Sequence, residues 1–474
     1  METVTLHNSS PLVTFRLLFN AGSVFDPKGK EGIAALTAAM LSEGGSRSMS
    51  YDEIVRAMYP MATSFSAQVD KEITVFCGTT HIDNLESYYR IISDMLLDPG
   101  WREEDLTRLR EDAINYIRVN LRRNNDEELG KEALYSFIFE GHPYKHLSVG
   151  TVESLERMTL DDIKDFYREH YSGARFVSGL AGGIPKEFEK RLSEDFTSRL
   201  PASDYADLAL AQPAQINGFE IKVIKKATRG TAISFGYPIQ LTRSHDDWPA
   251  LLVAQSYLGQ HRSSNSRLYQ RLRQIRGLNY GDYAYIEYFP RGMFQFHPDP
   301  NLGRRQQIFE VWVRPVEPEN GLFALRAALY ELRKLIERGL SPEDFEATRL
   351  YLSKFVNVLT GTQDAQLGYA LDSRYYGLPD FNQYLRERLS RLTRDDVNRS
   401  IRTYLQARDI KIVVVTEDAE GFLNAALKNE PSPITYETPM PDEILEEDRI
   451  IESYALNLNP SSSGVVPVDD VFQR

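Results

Sequence analysis

Apolar residues along the chain recur in two periods. From Glu31 to Gly45, EGIAALTAAMLSEGG places Ile33, Leu36 and Met40 at spacings of three and four, which predicts an amphipathic helix. Ala35, Ala38 and Ala39 fall beside one another on a second face. The same i, i+3, i+4 geometry lets one helix present three side chains to a single point, as when two histidines hold zinc and an intervening glutamate acts as base. Three methyl groups stand there instead, so this is either a metal-binding helix stripped of its ligands or an alanine-rich core helix. Apolar runs of strand length occur at TFRLLF, SFSAQVDKEITVFCGTT and ARFVSGLAG, with long helices between them.

The pattern repeats. Met158 to Gly182 and Leu392 to Thr416 share a capping threonine (Thr159, Thr393), a pair of aspartates in the first helical turn, a β-branched residue (Ile163, Val397) and a following apolar strand. Each copy is preceded by a long amphipathic helix with an acidic start, DPGWREEDLTRLREDAINYIRVNL and LSPEDFEATRLYLSKFVNVL. Further upstream, VTFRLLFNAGS leads into the opening helix much as TAISFGYPIQ leads into WPALLVAQSYLGQ. The chain therefore reads as a duplicated α+β domain, each copy a mostly antiparallel sheet covered by helices on one face. The copies span 1–200 and 217–430, joined by an Ala/Pro/Asp-rich linker at 201–216. Residues 431–474 read as an extended tail laid over the domains, with Pro460 to Gly464 as a flexible break.

Composition narrows the function. At 474 residues the chain exceeds one ordinary hydrophobic core, and no apolar run approaches the roughly 18 residues needed to span a bilayer. A net charge of -13 argues against a nucleic-acid partner, whose phosphates demand cationic contacts. The first twenty residues lack a basic segment and a small-residue cleavage site. No export signal is visible, and the compartment stays open between a bacterial periplasm, with a leader removed, and the cytoplasm. Cys77 is a lone cysteine in a strand-like run, best read as a small buried hydrophobe.

Histidine is scarce, with eight in all. His142 and His146 in EGHPYKHL have ligand-like spacing, but Pro143 interrupts any helix that would align them and no third ligand is close. His170 and His297 read as packing or loop residues. Nucleotide loops, EF-hand loops and nucleophile elbows are missing. The densest constellation is SSNSRLYQRLRQIRGLNYGDYAYIEYF. A helix is expected from Ser266 to about Arg276, with Leu268, Leu272 and Ile275 buried; Gly277 ends it and a strand follows. Arg273 near a helix C-terminus and Tyr280 at the start of a strand are thereby brought toward one spot across a tight turn.

Through these segments the chain resembles the insulinase/pitrilysin peptidases, which carry an inverted zinc motif, H-x-x-E-H. The resemblance covers roughly Val4 to Gly421. It rests on GSVFDPKGKEGIAALTAAMLSEGGSRSMSYDEI, GHPYKHLSVGT, the LTRDD-type helix starts and SRLYQRLRQIRGLNY. It implies that the family's first histidine falls on Ala35, its glutamate base on Ala38, its second histidine on Ala39 and its further glutamate ligand on Tyr116. None of these side chains can coordinate zinc as the family's ligands do, and no carboxylate remains to activate water.

The resemblance also implies that Arg273 and Tyr280, separated by six residues, match an arginine and a tyrosine that hold the substrate backbone and stabilise the oxyanion. Some bacterial members divide the work between a zinc-bearing chain and a partner without zinc, as the mitochondrial processing peptidase does in a related way. The expectation is therefore a non-catalytic, substrate-binding subunit, forming half of a clam-shell around an unfolded peptide. Zinc is expected on the partner and no cofactor on this chain. The alternatives are a structural paralogue, like the core subunits of the respiratory bc1 complex, and an autonomous peptidase with ligands relocated to His142 and His146.

Overall fold

A computed structural model describes residues 2–203 and 208–474. Part of the expected linker, 204–207, lies outside the described residues; the rest of 201–216 carries neither helix nor strand. The first half runs β1 (Glu2–His7), β2 (Leu12–Phe19), α1 (Ile33–Glu43), α2 (Tyr51–Met58), β3 (Phe65–Val69) and β4 (Thr74–His81). It continues through α3 (Leu85–Leu97), α4 (Glu103–Asn115), α5 (Asp126–Ile138), α6 (Val152–Arg157), α7 (Leu160–His170), β5 (Phe176–Gly182) and α8 (Lys186–Arg199). The second half opens with β6 (Phe219–Lys225), β7 (Thr231–Ile239), α9 (Trp248–Gly259), β8 (Asp282–Tyr285) and β9 (Gln307–Val316). There follow α10 (Gly321–Arg338), α11 (Pro342–Leu359), α12 (Gln363–Tyr375), α13 (Phe381–Arg391), α14 (Arg394–Tyr404), β10 (Ile410–Thr416) and α15 (Ala419–Leu427). Last come α16 (Asp442–Glu452) and β11 (Gly464–Pro467).

The duplication holds at the level of topology. Strands in the first sheet lie in the order β1-β5-β2-β4-β3, and their counterparts repeat it as β6-β10-β7-β9-β8, with β11 added outside β6. β1 runs parallel to β5, and β6 to both β10 and β11; the other neighbours are antiparallel. The copied helix starts form the same capping box. The Thr159 and Thr393 side chains accept from the Asp162 and Asp396 amides at 3.3 and 3.2 Å, and each aspartate accepts from its threonine amide in return.

Helices do not cover one face alone. Phe15, Leu17 and Phe19 of β2 face the first-half core, whereas Leu18 packs with Leu371 of α12, a helix from the second half. Reciprocally, Val413 and Val415 of β10 join the first-half core, against which α5 lies. Each half thus lends one helix to the outer face of the other's sheet, and strands such as β10 are buried on both sides along their whole length. Gly179 of β5 makes room for this: a Cβ there would sit 2.9 Å from the Leu371 side chain. Ion pairs pin the halves together. Arg16 of β2 grips Asp364 of α12 at 2.6 and 2.8 Å, and buried Arg304 grips buried Asp70 at 2.5 and 2.6 Å.

The C-terminal segment is folded rather than extended. Ile444 and Ile451 seat α16, while its acidic face meets Arg276, whose guanidinium donates to Glu447 and Asp448 at 2.8 Å each. Pro460 to Ser462 form a turn of 3-10 helix leading directly into β11, where a flexible break was expected. The last residues then return to the first half: the Val152 and Glu153 amides donate to the Phe472 and Gln473 carbonyls, and Arg122 donates to the Val471 carbonyl at 2.7 Å.

Candidate functional site

The alanine helix is braced from its N-terminus. Gly32 adopts φ 99°, a left-handed conformation suited to glycine, and the Asp26 carboxylate accepts from the Gly32 and Ala34 amides at 2.6 and 3.0 Å. His146 places Nε2 3.0 Å from that same carboxylate. Burial raises the Asp26 pKa, while His146 and the two amides oppose the shift. His142 accepts the Tyr144 amide at Nδ1 (3.0 Å), which leaves Nε2–H to donate to the Ala211 carbonyl (2.9 Å). Both histidines are therefore engaged in structure, and the relocated zinc site does not form. Among the described residues, no group of three histidine, cysteine or acidic side chains could hold a metal ion.

Ala35 and Ala39 are half-buried, whereas Ala38 is fully enclosed at 0% exposure. The three methyl groups accordingly do not form one open face; the helix has closed onto the core at Ala38. Tyr116, 37% exposed, starts a π-helical turn (Tyr116–Leu121) that continues α4. Burial raises its phenol pKa, and the nearby carboxylates Glu132 and Glu128 of α5 raise it further. Cys77 behaves as a small hydrophobe, its thiol pushed up to about 11 by burial.

The second constellation is also carried on a π-helix, Tyr269–Gln274, where an α-helix was expected. Leu268 and Leu272 are buried as the spacing predicts, while Ile275 is only half-buried because the wider turn rotates it outward. Arg273 and Tyr280 meet. Arg273 Nη1 donates to the Tyr280 carbonyl at 2.8 Å, and its guanidinium lies 4.7 Å from the Tyr269 ring centre and 5.8 Å from that of Tyr280. Tyr280 is 72% exposed.

Sequence reasoning missed the residues that hold this turn. Asn279 donates to Asp282 (2.7 Å) and to the Arg314 carbonyl (2.9 Å), and accepts the Gly281 amide (3.1 Å). Burial pushes the Asp282 carboxyl up to about 8. Arg314 in turn pairs with Glu127 of α5 at 3.2 Å. An Asn two residues before a Gly is a turn signal that could have been read; the partners of Arg314 could not. Through Glu127 on one side and Glu128 and Glu132 on the other, α5 touches the surroundings of both Tyr280 and Tyr116.

Comparison with known proteins agrees with this architecture. The family described as Insulinase (Peptidase family M16) matches residues 2–151, and the one described as Peptidase M16 inactive domain matches 157–352. A protein of Rickettsia bellii described as an uncharacterized zinc protease is 23% identical over 286 residues, covering 60% of this chain and 67% of that one. A non-peptidase homologue from Helicobacter pylori is 20% identical over 416 residues, covering 86% of this chain and 89% of that one. The crystal structure of a peptidase M16 inactive domain from Pseudomonas fluorescens superimposes with a TM-score of 0.76 at 20% identity, covering 87% of this chain and 94% of that one, and so shares the fold. The chain belongs to the insulinase family, peptidase M16, as an inactive-type member without the H-x-x-E-H motif.

Proposed function

We propose that this chain is the non-catalytic, substrate-binding subunit of a two-chain zinc endopeptidase acting on unfolded peptides. The partner is a zinc-bearing member of the same family, and this chain presents Arg273 and Tyr280 to the partner's zinc site. One observation carries the reading. The Arg273–Tyr280 pair is assembled with Tyr280 exposed, whereas the side chains of Ala35, Ala38 and Ala39 offer no lone pair to a metal.

With one N–H braced on the Tyr280 carbonyl, the Arg273 guanidinium can turn its remaining donors to a peptide carbonyl, and the Tyr280 phenol can donate to the oxygen that becomes negative as water attacks. Such a donor is worth about 3 kcal/mol of transition-state stabilisation. Peptide backbone would be held by strand addition to a sheet edge.

The test is to assay peptide cleavage by this chain alone, by a zinc-bearing homologue alone and by their mixture, alongside metal analysis. Turnover is expected in the mixture, with zinc on the homologue. Tyr280→Phe should lower kcat in the mixture about 100-fold, and Arg273→Ala should act chiefly on KM. Cleavage unchanged by both substitutions would remove the assigned role. A second reading, a structural paralogue with no part in cleavage, draws support from the similarity to a non-peptidase homologue. It predicts a complex whose turnover ignores both residues.

A further inference from the structure

The second half contains a cavity of about 120 Å³. Helices α9, α11, α12 and α13 wall it through Trp248, Leu252, Phe355, Val356, Tyr369 and Phe381. The loop after β8 roofs it with Phe289, Phe296 and Leu302. Phe296 lines the cavity and is nevertheless 65% exposed, which places the mouth there. The roof is tied down: Arg262 donates to the Met293 carbonyl at 2.6 Å and lies 4.5 Å from the Phe296 ring centre, and Gln295 Nε2 donates to Asp299 at 2.9 Å.

The charged groups in the wall already have partners, while the buried Trp248 Nε1 has none. Arg243 donates to Glu287 at 2.9 Å and to Asp372 at 3.0 Å, and Asp299 is paired with Arg291. His261 accepts the Tyr285 hydroxyl at Nδ1 (2.8 Å) and donates from Nε2 to the Gln295 carbonyl (2.9 Å); burial holds its pKa near 4, so it is neutral at neutral pH. A charged guest would lose its hydration without gaining a counter-charge. An uncharged ring would instead supply the dispersion contacts that wall atoms around a void lack. An engineered cavity of roughly 150 Å³ lined by leucine, isoleucine and phenylalanine takes up benzene or xenon.

From this geometry we infer that the cavity is a binding site for a small, neutral, mostly apolar molecule the size of a single ring. The inference rests on the wall and its satisfied charges, and is independent of the role of Arg273 and Tyr280. The test uses the full chain with toluene, benzoate and benzylammonium as probes, read by saturation-transfer NMR and thermal denaturation. Toluene should bind saturably, at roughly millimolar Kd or tighter, and raise Tm, with both charged probes weaker by about tenfold or more. Leu252→Trp and Leu359→Trp, the latter at the end of α11 where it also lines the cavity, each fill the space and should weaken toluene by about tenfold or more while the circular dichroism is unchanged. Should either variant fail to fold, xenon-pressurised crystals of the unmodified chain give a second measurement, with xenon expected between α9 and α11. Lack of saturable toluene binding, equal binding of all three probes, toluene affinity unaffected in folded filled variants, or a cavity without xenon would each overturn the site.

Discussion

Helices α1 and α4 in the first half and α9 and α11 in the second are counterparts by order and topology, yet they have been put to opposite use. In the first pair, small side chains have let the helix close, and Ala38 is sealed in the core. In the second pair, Trp248, Leu252 and Phe355 ring a cavity of about 120 Å³. Around the three alanines, packing takes up the space, because a void forfeits dispersion contacts on every wall atom. The comparison extends to the exchanged helices. α5 carries Glu127, Glu128 and Lys131 buried toward the second half, and α12 carries Asp364 toward Arg16 of the first.

The largest expected effect breaks the seam between the halves. Arg304→Met leaves Asp70 buried without its partner and should cost about 3–5 kcal/mol in urea denaturation; adding Asp70→Asn should recover part of that loss. Next, the closure of α1 can be tested directly. Ala38→Glu should destabilise by about 3 kcal/mol, while Ala35→His and Ala39→His, at half-buried positions, should stay within about 1 kcal/mol, all read from the same unfolding curves. Equal tolerance at the three positions would show that the first-half pocket is open after all.

A smaller effect is expected from the C-terminal clasp. Phe472→Ala removes a buried ring from the first half and should cost about 2 kcal/mol, with proteolysis of the last residues accelerated in parallel. The subtlest comparison is one of pH. Glu310 on β9 is fully buried with neither oxygen hydrogen-bonded, and burial pushes its carboxyl up to about 8 from 4.5. Between those values the folded chain holds a proton that the unfolded chain releases, so stability falls as pH rises through the window. Glu310→Gln should flatten that slope, its Tm advantage over the unmodified chain growing from pH 5 to pH 8.

Some of this was legible in the chain alone. The capping boxes at Thr159 and Thr393, the order of strands and helices and the absence of an H-x-x-E-H motif are local properties, written in spacing and side-chain chemistry within a few residues. The meeting of Arg273 and Tyr280 belongs with them, because a short turn joins the two. Tertiary structure decided the rest. His142 and His146 are claimed by Ala211 and Asp26, which lie far along the chain, and the acidic run of α16 became a helix because Arg276 stands opposite it. The helix exchange, the sealing of Ala38 and the cavity beneath Phe296 follow from which apolar surfaces find one another across the duplication. Hydrophobic periodicity announces that a face will be buried but does not name its partner, since burial is non-directional and partners are chosen by shape and charge over the whole fold.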